Sequence, residues 1–133
     1  MAHWAEAYVG RPYIEGRFDC ADLVVEVARE RFGRVIRFPA HGAGVREWDA
    51  QIAALKDDFA RPLGPRETPR EGDGVLMRMT GRTRAPGHHI GLWCDVAGTP
   101  HVLHCLKRIG SCLHALGALE RHGLEMMGVY RWL

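Results

Sequence analysis

Apolar residues in the first part of the chain recur at helical spacing, whereas those in the second half alternate or form short blocks. Leu23, Val24, Val27 and Ala28 fall on one face of a helix predicted over 20–32, with Asp19 as its N-cap and Gly33 as its stop. A short helix is predicted over 3–9, ended by Gly10-Arg11-Pro12, and a second amphipathic helix over 45–59, with Trp48, Ile52, Ala53 and Leu55 inward. Strand patterns then dominate: 74–79, 88–95, 100–107 and 124–132, with a short helix expected near 113–121 and loops over 61–73 and 80–87. Helices first and strands afterwards predict an α+β fold with an antiparallel sheet.

The 133 residues make one domain, 1–133, large enough for one hydrophobic core. A formal net charge of +2 is too small to indicate nucleic acid, and the arginines are scattered rather than clustered. No apolar run approaches membrane-spanning length, so no membrane insertion is expected. The N-terminus lacks the basic and apolar regions of a secretory signal, which predicts a protein made in the cytoplasm. Four cysteines at 20, 94, 105 and 112 match no common disulfide or zinc spacing. His101, His104, Cys105, Cys112 and His114 are close in sequence, yet no pair has knuckle spacing. His104 and Cys105 must also face opposite ways on a strand. Neither metal nor cofactor is expected.

The chemistry centres on Cys20. A thiolate is the nucleophilic form of cysteine, and a helix N-terminus favours an anion. A histidine brought beside the sulfur by folding would take its proton. His89 is the candidate: it begins a strand in which Gly91 leaves the neighbouring surface open, and its neighbour His88 points to the other face with Ile90 and Leu92. His104 lies where the next antiparallel strand would place an orienting partner for His89, with His101 as the alternative on the same strand. The Cys20 amide and the Tyr13 hydroxyl are candidate oxyanion donors.

Pro12-Tyr13, Phe18-Asp19-Cys20, Glu71-Gly72-Asp73-Gly74-Val75-Leu76, His89-Ile90-Gly91-Leu92-Trp93 and Val102-Leu103-His104 occur in that order. Together they resemble the NlpC-type cell-wall cysteine peptidases. The resemblance implies a compact papain-like fold with N-terminal helices packed on an antiparallel sheet. It implies hydrolysis of the bond between D-glutamate and the diamino acid in peptidoglycan stem peptides. Cys20 would be the nucleophile, His89 the base, His104 the orienting residue and Tyr13 a substrate or oxyanion residue. The family commonly has Asp-Cys-Ser-Gly where this chain has Asp19-Cys20-Ala21-Asp22. Asp19 matches the acid that helps hold the free amino end of the peptide, whereas Ala21 lacks the usual hydroxyl. Asp22 places a carboxylate where glycine is usual, for a cationic substrate group or as a solvated residue of the first helical turn.

Small members without a signal resemble phage tail-associated peptidases, and the closing Gly128-Val129-Tyr130-Arg131-Trp132 is similar to the ends of such proteins. That implies a virion location, with tail-tip or baseplate proteins as partners; a free cytoplasmic enzyme acting on recycled wall peptides is the competing expectation. Two other expectations stand beside the peptidase: a tail-tip component that keeps the fold without turnover, and a related cell-wall amidase.

Overall fold

A computed structural model describes residues 2–37, 59–80 and 87–133. Among the described residues there is one α-helix, α1 (Cys20–Phe32), and a sheet of six antiparallel strands: β1 (Ala60–Pro62), β2 (Gly74–Met79), β3 (His88–Val96), β4 (Thr99–Leu106), β5 (Gly110–Ala115) and β6 (Leu124–Trp132). The strand order is β1-β6-β2-β3-β4-β5. The expected α+β class holds at this level. The helix expected over 45–59 lies outside the described residues.

Asp19 sets the start of α1. Its Oδ1 accepts from the amides of Ala21 and Asp22 at 3.0 and 3.2 Å, and Asp22 Oδ2 accepts from the Asp19 amide at 3.0 Å. This reciprocal capping box satisfies donors that no helical carbonyl can reach. At the other end Gly33 takes the left-handed conformation and stops the helix. Leu23, Val24, Val27 and Ala28 are fully buried, as their spacing predicted. They pack on β3 and β4, where each larger side chain contributes roughly 1.5–3 kcal/mol on burial.

Alternation along the strands divides the core into two layers. Ile90, Leu92 and Cys94 of β3, with Leu103 and Cys105 of β4, join the helix-side layer that contains Cys20. Val75, Met77, Trp93, Val102, Leu106, Cys112, Leu119 and Leu124 form the layer on the other face. β3 and β4 are joined through Ala97 and Gly98, both at positive φ, which gives the two-residue hairpin turn whose twist suits antiparallel strands.

The segment Glu71–Gly74 ties distant parts of the chain together. Glu71 accepts from His3 Nε2 at 2.9 Å, Trp4 Nε1 at 3.1 Å and the Asp95 amide at 2.8 Å. Buried Asp73 accepts from Arg131 Nε and Nη2 at 3.2 and 2.9 Å. Gly72 has φ +85°, and a Cβ there would lie 2.6 Å from the Phe32 ring, so the close approach of loop and helix end requires glycine. The Glu71-Gly72-Asp73-Gly74 segment thus holds the N-terminal turn, the end of α1 and β6 together.

Several elements differ from expectation. Residues 60–62 pair with β6 as β1, at the start of the stretch expected as a loop over 61–73. Residues 110–115 form β5, and the helix expected over 113–121 is reduced to two 3-10 turns at Leu116–Ala118 and Glu120–His122. β5 lies at the end of the sheet, and Ser111 links it to the N-terminal segment. The Ser111 amide donates to the Arg11 carbonyl at 2.8 Å, the Gly10 amide to the Ser111 carbonyl at 2.9 Å, and Ser111 Oγ to the Tyr8 carbonyl at 2.5 Å. The N-terminal segment Trp4–Tyr8 is itself a 3-10 turn.

Candidate active site

Cys20 is the first residue of α1, so its amide has no acceptor within the helix. Its thiol is buried. The sulfur lies against the backbone amide of Ile90, with Cys105 and Asp19 as charged or polar neighbours. It therefore meets β3 at the peptide that joins His89 to Ile90. Cys105, in turn, directly follows His104 in the chain. Folding thus brings the Cys20 sulfur to the backbone of β3 and β4 beside His89 and His104, but on the face opposite their rings, which corrects the expectation of an imidazole directly against the sulfur.

His89 and His104 are both buried, and His89 Nε2 lies 2.9 Å from His104 Nδ1. They sit diagonally across β3 and β4, because Gly91 and not His89 is directly opposite His104. Gly91 makes this possible: a Cβ there would lie 2.6 Å from Val102 Cγ1 and 3.0 Å from His104 Cβ. His101, the alternative third residue, instead lies at the strand start with Nδ1 2.9 Å from the Thr99 carbonyl.

Strand alternation sends the His89 ring to the face away from α1, while the sulfur approaches from the helix side. Among the described residues no hydrogen bond joins Cys20 to His89. The ring nitrogen of His89 that His104 leaves available is Nδ1. Presenting a lone pair there requires the proton on Nε2, donated to His104 Nδ1. His104 then carries its own proton on Nε2, which lies 3.0 Å from His114 Nδ1. A single polarity along His89, His104 and His114 satisfies every one of these contacts.

Burial dominates the electrostatics. It raises the Cys20 pKa above the ordinary thiol value, and the nearby Asp19 and Cys105 charges add to the rise. The amides of Ile90 and Ala21 oppose it without reversing it. Burial also lowers His89 to about 4 and pushes His104 well below the usual histidine range, where the neighbouring imidazoles add to the effect. The sequence expectation of a lowered thiol pKa is corrected here. The helix end and the two amides stabilise an anion, but the loss of water around a buried sulfur outweighs them. The resting pair is a neutral thiol and a neutral imidazole.

Tyr13 packs on the helix-side core. Burial, followed by the charges of Asp19 and Cys20, raises its pKa to about 12, so its hydroxyl remains a hydrogen-bond donor at neutral pH. Tyr13, Asp19, Cys20 and Cys105 are thus one neighbourhood. Asp19 and Asp22 both cap the helix, a role that sequence reasoning gave to Asp19 and missed for Asp22. The signal was present: an acidic residue three places after the cap.

Sequence reasoning also missed the continuation of the histidine pair. Cys112 and His114 lie two apart on β5, with Cys112 directly opposite His104. Cys112 Sγ lies 3.9 Å from His114 Nδ1, and the ring of His122 stacks on His114 at 3.8 Å between centroids.

No protein-family model matches the sequence, and no curated protein matches it.

Proposed function

We propose that the chain is a thiol hydrolase of the NlpC type, with a papain-like arrangement of helix and sheet, that cleaves peptidoglycan stem peptides between D-glutamate and the diamino acid. The observation that carries this reading is a capped helix N-terminus whose first residue, Cys20, reaches the β3 backbone next to an oriented histidine pair. The Cys20 sulfur lies against the His89–Ile90 peptide, and His104 holds His89 from the far side at 2.9 Å.

In this reading Cys20 transfers its proton to His89 Nδ1 as the sulfur attacks the scissile carbonyl carbon, a step that requires β3 to rearrange so that the His89 ring, which faces away from α1 here, reaches the helix side. The oxyanion accepts hydrogen bonds from the Cys20 amide and the Tyr13 hydroxyl. His89 returns the proton to the leaving amine, the C–N bond breaks, and an acyl-thioester remains on Cys20. His89 then takes a proton from water, whose oxygen attacks the thioester and releases the acid and the free thiol. His104 is a positioning residue: it accepts from His89 Nε2 and fixes the productive tautomer. The neutral resting pair means that proton transfer accompanies attack instead of preceding it.

A stem-peptide analogue with an aldehyde in place of the scissile carbonyl tests this reading. Carbon NMR of the labelled aldehyde should reveal a hemithioacetal with the wild type and none with Cys20→Ala. Absence of the adduct from both proteins counts against a nucleophilic Cys20.

A second reading is favoured by one observation, the raised thiol pKa. A thiol held neutral by burial suits a tail-tip component that keeps the fold without turnover. In both readings a phage-tail location is the one the sequence resemblance implies, and presence in or absence from purified virions tests it.

A further inference from the structure

His104, Cys112 and His114 offer one ligand atom each, and these atoms lie within 4.8 Å of one another. The arrangement follows from strand register. Cys112 is directly opposite His104, and His114 is two residues along β5 on the same face. Cys105, expected from its place beside His104 on a strand to face the other way, points to the helix-side layer and takes no part.

From these positions we propose that His104 Nε2, Cys112 Sγ and His114 Nδ1 bind one borderline-soft divalent transition-metal ion of the zinc class. Nitrogen and thiolate sulfur are the ligand types such ions select. Tetrahedral coordination with ordinary zinc bond lengths puts ligand nitrogens about 3.3 Å apart and nitrogen and sulfur about 3.6 Å apart. The separations here are 3.0 Å between His104 Nε2 and His114 Nδ1, and 3.9 Å between Cys112 Sγ and His114 Nδ1. Each differs from the ideal by a few tenths of an ångström, within reach of small side-chain rotations.

The surroundings fit as well. A metal-bound histidine generally passes its other ring proton to a neighbour, and His104 Nδ1 already lies 2.9 Å from His89 Nε2. His104 and Cys112 are buried and hold their positions, whereas His114 is half-buried beneath the exposed ring of His122. That side provides an entry path and a fourth ligand from water or His122. Binding replaces the Cys112 S–H bond with a metal–sulfur bond and releases one proton to solvent.

The site itself does not depend on the proposed hydrolysis. If both hold, they are coupled. A cation on His104 Nε2 leaves that ring's proton on Nδ1, so His104 donates to His89. His89 then carries its proton on Nδ1 and cannot accept one from Cys20. The metal-bound protein would be the inactive form.

Cobalt(II) titration of the untagged, chelator-stripped full chain tests the site. The expected result is one equivalent bound, with visible bands of tetrahedral cobalt and a near-ultraviolet thiolate-to-cobalt band, both displaced by one equivalent of zinc. Cys112→Ser should abolish the thiolate band, and half-exposed His114→Ala should weaken zinc binding by about 10-fold or more. Cys20→Ala should leave the spectrum unchanged, which separates this site from the proposed nucleophile. Circular dichroism of each variant confirms folding. Failure of the wild type to bind, or a thiolate band that survives Cys112→Ser, overturns the proposal.

Discussion

His89 Nε2 lies 2.9 Å from Nδ1 of His104, a residue 15 positions later on the neighbouring strand. The contact fixes which nitrogen of His89 remains for chemistry. It also joins the candidate nucleophile's end of β3 to a row of imidazoles that runs through His114 to His122 on the face away from α1.

Removal of His104 should therefore act through His89. His104→Ala is expected to lower kcat for stem-peptide hydrolysis by about 100-fold or more with little change in KM. His104→Asn should recover part of the loss, because its amide oxygen can accept from His89 Nε2. Steady-state kinetics on folded variants provide the check. Equal losses in both variants would reduce His104 to a packing residue.

The capping box predicts a different outcome for Asp22. Loss of its bond to the Asp19 amide in Asp22→Ala should cost about 1 kcal/mol, or roughly 4 °C in Tm for a domain of this size. The KM for stem peptide should stay within about two-fold, since the effect on rate or binding is only indirect. A large rise in KM without loss of stability would instead assign Asp22 to the substrate.

Acid should weaken the fold in a defined window. His89 titrates at about 4 in the folded protein against an ordinary 6.5, so between those values the unfolded chain binds more protons. Stability must fall as the pH drops from about 6.5 to about 4, by about 2 kcal/mol at pH 5 from His89 alone. His104 and His114, lowered chiefly by burial, act in the same direction. Urea unfolding at pH 7 and pH 5 measures the change, and His89→Gln should flatten it. Stability that is constant or higher at pH 5 would contradict the buried neutral pair.

Thiol reactivity distinguishes a neutral pair from a preformed ion pair. With its pKa raised by burial, Cys20 should react slowly with iodoacetamide at neutral pH and faster only under alkaline conditions. Peptide mapping after labelling at several pH values reports this. Selective labelling of Cys20 at pH 5–6 would show that the amides of Ile90 and Ala21 outweigh burial after all.

The sequence made the local features legible. The bounds of α1, its Asp19 cap and the hydrophobic positions of its buried face are set within a few neighbouring residues, and so are strands such as β2 and β6. The His89–His104 pair was legible for the same reason, since two strands around a tight turn have a register that can be counted. β5 was not, because Gly110–Ala115 becomes a strand by pairing with β4 and, through Ser111, with the N-terminal segment. With β5 unread, Cys112 and His114 had no reason to face His104. The pKa of Cys20 was misjudged because helix position is written in the sequence and depth of burial is not.

The central claim is that Cys20 performs chemistry on a peptide bond. Mass spectrometry of peptidoglycan digested by the wild type and by Cys20→Ala under identical conditions tests it most directly. The account predicts fragments cut within the stem, between D-glutamate and the diamino acid, from the wild type and none from Cys20→Ala. Identical fragments from both proteins, or release of intact stems from the sugar by the wild type, would contradict it.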